Sequence, residues 1–251
     1  MKKLILSILI AFTITACGIK HEGEEKPTLL SNALSITDNE DKGVKEILDF
    51  YAGYCKYAVG ASASTNGDNK KYFELELSKS DAIEARANIA EMPASNIAYL
   101  FYKNLNKEEQ NNYSEIHTVL IFADGSKMTF EFPTQQLERV KKKMVLVNKV
   151  VGLIKEKKFD ALEPILIDTA LVRYDKKELI AKIKSIEPDY GNVTEGFVPF
   201  GFRIEKLKNG ISVLHLAGAI IRDKQSNEFS VDLDLNSTED EIYILQYKLS
   251  L

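Results

Sequence analysis

The spacing of apolar residues changes near the middle of the chain, and this change constrains the fold more than any other feature. Between residues 134 and 155 apolar side chains recur at intervals of three and four, which places them on one face of an α-helix. The stripe comprises Leu137, Val140, Met144, Val147, Val151 and Ile154. It is shorter than the run of about three heptads that a coiled-coil seam needs. We therefore predict a core helix laid against a sheet.

After about residue 200 the interval between apolar residues falls to two, the period of a β-strand with one buried face. The alternating segments are "FGFRIEKL", "ISVLHLAGAII", "EFSVDLDLN" and "EIYILQYKL". Turn-forming stretches, "KNG" and "DKQSNE", separate them, so an antiparallel meander is predicted. Two shorter helices are predicted before the meander, in "FDALEPILI" and "DKKELIAKIKSI". The predicted C-terminal domain spans residues 134–251.

Helices followed by a strand meander resemble the nuclear transport factor two-like fold, and a cystatin-like arrangement is the alternative. The resemblance covers about residues 134–251 and rests on the order of the elements, the first helix being the longest. It implies helices packed into the concave side of a curved sheet. This fold carries enzymes, ligand carriers and assembly modules, so the resemblance assigns no activity.

The residues before this domain predict a second, smaller unit over residues 42–133, built as helix, hairpin, helix, hairpin. Helices are predicted in "GVKEILDFYAGY" and "PASNIAYLFYKNL". The first hairpin joins residues 56–64 to "KYFELEL" through "TNGD", and the second joins "SEIHTVLIF" to "KMTFEF" through "ADGS". The predicted fold class is therefore α+β, with two small domains.

The N-terminus has the layout of a secretory signal. Lys2 and Lys3 precede an apolar run over residues 4–16, and Cys17 follows it. The run is shorter than the roughly 17–25 residues of a membrane-spanning helix. Its last residues with the cysteine, Ile14-Thr15-Ala16-Cys17, resemble the lipobox of bacterial lipoproteins. The alternative is an ordinary signal peptide in which the cysteine stands by chance.

The lipobox resemblance implies that residues 1–16 are a signal peptide and that Cys17 is lipidated. In that family the cysteine carries a diacylglyceryl thioether and its freed amine receives a further acyl chain such as palmitate. Several acyl chains anchor a protein stably to the membrane, because each CH₂ group buried in the lipid contributes about 0.8 kcal/mol. Gly18, where an aspartate commonly marks inner-membrane retention, implies the outer membrane of a Gram-negative bacterium. The sequence does not decide between the periplasmic face and the outer surface of that membrane.

Residues 17–41 are predicted to be a lipidated, disordered acidic tether. The stretch mixes Gly, Pro and Ser with two lysines and six acidic residues. Such a segment has too little apolar surface to offset the entropy cost of ordering. The whole chain has a formal net charge of −4 and lacks the concentrated Lys/Arg patch that phosphates need. Nucleic acid is therefore excluded as a partner, and the lysines at 141–143 and 155–158 are interpreted as a solvated helix face.

Two residues with nucleophilic side chains are interpreted as structural. A lipidated Cys17 leaves Cys55 without a disulfide partner, and Cys55 lies among aromatic residues with no activating base in the sequence around it. We interpret it as a core filler. The run of residues 60–64 approaches a nucleophile elbow around Ser62, but Ser64 stands where the second glycine belongs. A strand of small residues is the favoured interpretation.

Two polar patterns near the C-terminus resemble functional sites. Asp232, Asp234 and Asn236 have the one-three-five spacing of a calcium loop, but Ser237 and Tyr243 replace its glycine and its bidentate glutamate. Their alternation with apolar residues favours one exposed strand face. His215 could serve as an acid or base if its strand lines the mouth of the cone that the predicted curved sheet of the C-terminal domain forms. A hydrogen-bonded sheet histidine is favoured, because the sequence assigns it no carboxylate partner.

The sequence therefore assigns no catalytic, cofactor-binding or metal-binding residue, and Cys17 is the one predicted site, for lipidation and membrane attachment. His21, His117 and His215 fall outside any catalytic or metal motif. The favoured function is a membrane-tethered, non-enzymatic binding or assembly module for an unknown protein or small molecule. The alternative is a small-ligand carrier or pocket enzyme that uses the C-terminal cone.

Overall fold

The computed structural model describes residues 36–63, 69–167 and 175–248. The chain divides into two compact units, with the border between Leu137 and Glu138. Each unit contains a four-stranded sheet, and the described residues include six α-helices, so the predicted α+β class is confirmed. The signal peptide, Cys17, the tether up to residue 35 and the "TNGD" turn lie outside the described residues. No helix in the described parts of the chain is both long enough and apolar enough to span a membrane.

The first helix begins earlier than the sequence predicts. Helix α1 spans Asp38–Tyr51, so residues 38–41 form its first turn instead of the end of the tether. The reason is a capping box: the Glu40 N–H donates to Thr37 Oγ1 at 3.2 Å, and the Thr37 N–H donates to the Glu40 carboxylate at 2.8 Å. This local signal outweighs the acidic composition of the segment.

The N-terminal unit forms one mixed sheet from its two hairpins. Its strands are β1 (Tyr54–Ala63), β2 (Asn69–Ser78), β3 (Glu115–Ile121) and β4 (Lys127–Pro133), in the order β1-β2-β3-β4. Between the hairpins lie α2 (Asp81–Glu84), a 3₁₀ turn (Ala87–Ile89), α3 (Glu91–Asn104) and α4 (Lys107–Asn111). Both predicted hairpins are antiparallel, whereas β2 and β3 pair in parallel. Parallel pairing requires a long crossover, which the helical segment supplies.

The helices of this unit cover one face of its sheet. Phe73 on β2 is fully buried and its ring lies 4.3 Å, centroid to centroid, from that of Phe101 on α3. Thr118 on β3 donates its hydroxyl to the Ala94 carbonyl of α3 at 3.3 Å. Because side chains alternate along each strand, the neighbours of these residues point to the opposite face. We call that face the open face; it carries Lys56, Ala58, Tyr72, Glu74, Glu76, Glu115, His117, Val119, Lys127, Thr129 and Glu131.

The C-terminal unit contains the predicted strand meander. Its elements are α5 (Thr134–Lys155), whose first turn precedes the unit border, a 3₁₀ turn (Phe159–Leu162), α6 (Lys176–Tyr190), β5 (Val193–Lys206), β6 (Ser212–Arg222), β7 (Asn227–Asp234) and β8 (Ile244–Lys248). All strand pairs are antiparallel in the order β5-β6-β7-β8. The helix predicted in "FDALEPILI" is only the 3₁₀ turn, because Pro164 lacks the N–H that would continue an α-helix.

A buried ion pair joins α6 to the sheet of its unit. The Arg222 guanidinium is fully buried and donates to both Glu187 carboxylate oxygens, at 2.9 and 2.6 Å. It also donates to Asn227 Oδ1 at 2.8 Å and to the Gly191 carbonyl at 2.9 Å, and the Tyr247 hydroxyl bonds to both charged groups. The charges are thus paired and hydrogen-bonded, which buried ions require.

Candidate functional site

The polar centre of the open face is built by β3. Glu115 and His117 are two residues apart, so the strand places both side chains on the same face. In the sheet register, Glu115 lies across from Tyr72 on β2, whereas His117 lies between Glu74 on β2 and Glu131 on β4. Groups from three adjacent strands therefore meet at His117.

Glu115 is a buried carboxylate with two polar partners. The residue is 6% exposed, and its carboxylate accepts a hydrogen bond from Lys70 Nζ at 2.6 Å. The other carboxylate oxygen lies 3.1 Å from His117 Nε2. Burial alone would raise the pKa of Glu115, but the hydrogen bonds and charges of Lys70 and His117 outweigh it and hold the pKa below its ordinary value. The open face thus contains a buried negative charge.

An aromatic ring fixes the orientation of His117. The Tyr72 ring stacks on the imidazole with a centroid distance of 4.0 Å and an interplanar angle of 10°. Stacking and the contact with Glu115 together hold Nε2 toward the carboxylate. Glu131 is exposed on the neighbouring strand, and one donor atom from each of Glu115, His117 and Glu131 lies within 4.8 Å of the other two.

Two carboxylates and an imidazole can act together on a cation or a proton. Nitrogen and oxygen ligands of this kind bind divalent metal ions. Sequence reasoning missed this group, although the Glu115-x-His117 spacing indicates a shared strand face. Glu131 could be added only from the register of the second hairpin, which pairs it with His117.

The C-terminal sheet carries a second imidazole and carboxylate pair. The register of β6 and β7 places His215 opposite Asp232, and His215 Nδ1 lies 2.5 Å from Asp232 Oδ1. The two side chains are 22% and 21% exposed. His215 is thus a hydrogen-bonded sheet histidine, but it has the carboxylate partner that the sequence could not assign, so the stated reason for setting aside an acid or base role does not hold.

The other residues of the calcium-like pattern do not converge on one point. Asp234 accepts the Asn236 N–H at 2.8 Å, while Asn236 Oδ1 accepts a hydrogen bond from Arg139 at 2.7 Å. Asp232 faces His215 instead. These partners agree with the interpretation of the pattern as strand and turn residues.

Cys55 and Ser62, the two residues with nucleophilic side chains, both lie on β1. Cys55 is fully buried and unpaired, and burial together with the negative charge of Glu76 raises its pKa to about 12. Its interpretation as a core residue is confirmed. The backbone of Ser62 belongs to β1 and lies opposite Lys70, as expected for a strand of small residues.

Comparison with known proteins adds no relative. Neither a family model, nor a curated protein, nor a solved structure matches the chain. The lipobox and the nuclear transport factor two-like arrangement therefore stay predictions from the sequence.

Proposed function

We propose that the protein is a membrane-tethered lipoprotein that acts as a non-enzymatic binding module. Its binding surface is the open face of the N-terminal sheet. One observation carries this proposal: the helices of the unit cover one sheet face, while the other holds the buried side chains of Glu115 and His117, with the half-buried Tyr72 ring stacked on His117. The polar groups of this face are spread over all four strands, from Lys56 on β1 to Lys127 on β4, and a footprint of that breadth suits a protein partner.

The groups of the open face are held in place before any partner arrives. Glu76 forms ion pairs with Lys56 at 3.5 Å and with Lys127 at 3.2 Å, so a single carboxylate on β2 links residues of the two outer strands. Such exposed pairs add little stability. They do limit side-chain motion, and groups that are already ordered lose less entropy on binding. This pre-organisation supports a recognition role.

The proposed tether and lipid anchor place the protein at the membrane. A lipid on Cys17 holds the chain at the outer membrane, and about 20 residues separate it from the cap of α1 at Thr37. A flexible segment of that length has a root-mean-square reach of roughly 22–27 Å. That reach is enough to lift the N-terminal unit clear of the lipid headgroups.

For the C-terminal unit the proposed arrangement is nuclear transport factor two-like or cystatin-like, with helices on the concave side of a curved sheet. The order of a long helix, shorter helical segments and a four-stranded meander supports it. The alternative function, a small-ligand carrier or pocket enzyme, belongs to this unit. The His215 and Asp232 pair favours it, since a carboxylate that orients an imidazole is a common arrangement for a general base.

Site-specific photo-crosslinking in cells tests the binding surface. A photoreactive amino acid replaces Thr129, which is exposed on β4 of the open face, and the matched control replaces exposed Glu205 on β5. The proposal expects a discrete protein adduct from position 129 and none from position 205. Adducts from position 205 alone, or no adduct from either position, would contradict it.

A further inference from the structure

We propose that Glu115, His117 and Glu131 bind a divalent transition-metal ion, with Zn²⁺ as the ion that fits the donor set best. The inference rests on the proposed function only in that it uses the same open face. Two carboxylates and one imidazole give a tetrahedral ion three protein ligands and leave a fourth position open. With a neutral imidazole the set carries two negative charges, which match the charge of the ion.

The distances within the group suit a single ion. Metal bonds of about 2.0–2.2 Å place two ligands of a tetrahedral zinc ion roughly 3.3–3.6 Å apart. His117 Nε2 and the facing Glu115 oxygen are 3.1 Å apart, close to that separation. Glu131 reaches within 4.8 Å of both and is exposed, so a rotamer change brings its carboxylate to the ion.

The surroundings of the group resemble the supporting shell of a metal site. Tyr72 stacks on His117 and fixes the plane of the imidazole ring, and β3 carries Glu115 and His117 on one rigid strand. Packing that fixes the side-chain conformation of a ligand in advance favours binding of an ion. Glu74, across from His117 on β2, adds a further negative charge beside the site.

Lys70 is the competing cation. Its ammonium group lies 2.6 Å from the Glu115 carboxylate, and its side chain is half exposed, so it can swing into solvent when an ion arrives. In the absence of metal, Lys70 and His117 satisfy the buried carboxylate, and for this reason the unit does not need the ion to fold. Removal of the ammonium should therefore strengthen metal binding, which is opposite to the effect expected if Lys70 belonged to a purely structural network.

Calorimetric titration of the full chain with ZnCl₂ in detergent tests the inference. We expect one bound ion, at least tenfold weaker binding in H117Q and E131Q, and tighter binding in K70M. H215Q is the matched control, because His215 also faces a carboxylate on a neighbouring strand, but no third ligand lies near that pair among the residues that the structure describes. Its affinity should equal that of the unsubstituted protein. E131Q changes an exposed residue, so its result does not depend on folding of a core variant.

The imidazole NMR signals give a second measurement. The His117 signals, assigned by their loss in H117Q, should shift on addition of Zn²⁺ while those of His215 stay in place. Absence of saturable binding, unchanged affinity in both H117Q and E131Q, or weaker binding in K70M would overturn the metal site. Zinc binding is measured on purified protein and partner binding in cells, so failure of one is distinguishable from failure of the other.

Discussion

At the scale of single residues, Cys55 has a role defined by its surroundings. The sequence places it among Phe50, Tyr51, Tyr54 and Tyr57, and the structure buries it fully on β1. An apolar environment disfavours the thiolate, which is the reactive form. The buried, unpaired thiol of Cys55 is thus protected by packing instead of by a disulfide.

The burial of Cys55 predicts slow reaction with a thiol reagent in the folded protein. Its pKa of about 12 leaves little thiolate at neutral pH, so rapid labelling should require denaturant. Burial of the neutral thiol stabilises the folded protein. Because the pKa of Cys55 is higher in the folded than in the unfolded protein, this stabilisation is present below the ordinary thiol pKa and is lost as the pH rises toward the folded-state pKa. We expect C55A to lower the free energy of unfolding by about 1 kcal/mol. Rapid labelling of folded protein at neutral pH would contradict this account.

The residue scale also shows where sequence reasoning ends. The spacing of Glu115 and His117 is visible in the sequence, and so is the strand position of His215. Their partners Glu131 and Asp232 come from neighbouring strands, and only the register identifies them. A shift of one residue would turn each partner to the other sheet face. For this reason the polar pairs could not be predicted without the fold.

At the scale of elements, prediction succeeds where the apolar period is long and regular. Helix α5 and the strands β6 to β8 follow the predicted segments, whereas β5 begins at Val193, before its predicted segment, and two register shifts interrupt its pairing with β6. Two other differences have local causes: the capping box extends α1 toward the N-terminus, and Pro164 limits the segment before α6 to a 3₁₀ turn. The parallel pairing of β2 with β3 depends on where the intervening helices pack, which no local pattern indicates.

The buried ion pair between α6 and β6 gives a prediction at this scale. We expect R222M to lower the free energy of unfolding by about 3–5 kcal/mol, because it leaves the Glu187 carboxylate buried without its partner. The double variant R222M/E187L removes both charges and should recover most of the loss. R203M changes a half-exposed arginine on β5 and should differ from the parent by less than about 0.5 kcal/mol.

Urea unfolding followed by circular dichroism measures these differences. An R222M variant as stable as R203M would show that the pair contributes no net stability. A double variant no more stable than R222M would show that the loss comes from packing of the long side chains and not from the unpaired charge.

At the scale of the whole molecule, the sequence and the structure contribute different parts of the account. The lipobox, the signal peptide and the tether up to residue 35 are predictions from residues outside those that the structure describes, and they concern location. The two sheets and their cores are described by the structure, and they concern the surface that the chain presents. In the proposed function the open face connects the two, because a tethered sheet face with fixed polar groups is suited to recognition.

Attachment through Cys17 is the claim on which the proposed function depends, and metabolic labelling with fractionation tests it most directly. The wild-type protein should incorporate labelled palmitate and sediment with the outer membrane, whereas C17S should incorporate none and leave the outer-membrane fraction. C55S is the matched control, since it removes the other cysteine, and it should still be labelled. Unlabelled wild-type protein, or C17S that still fractionates with the outer membrane, would contradict the account.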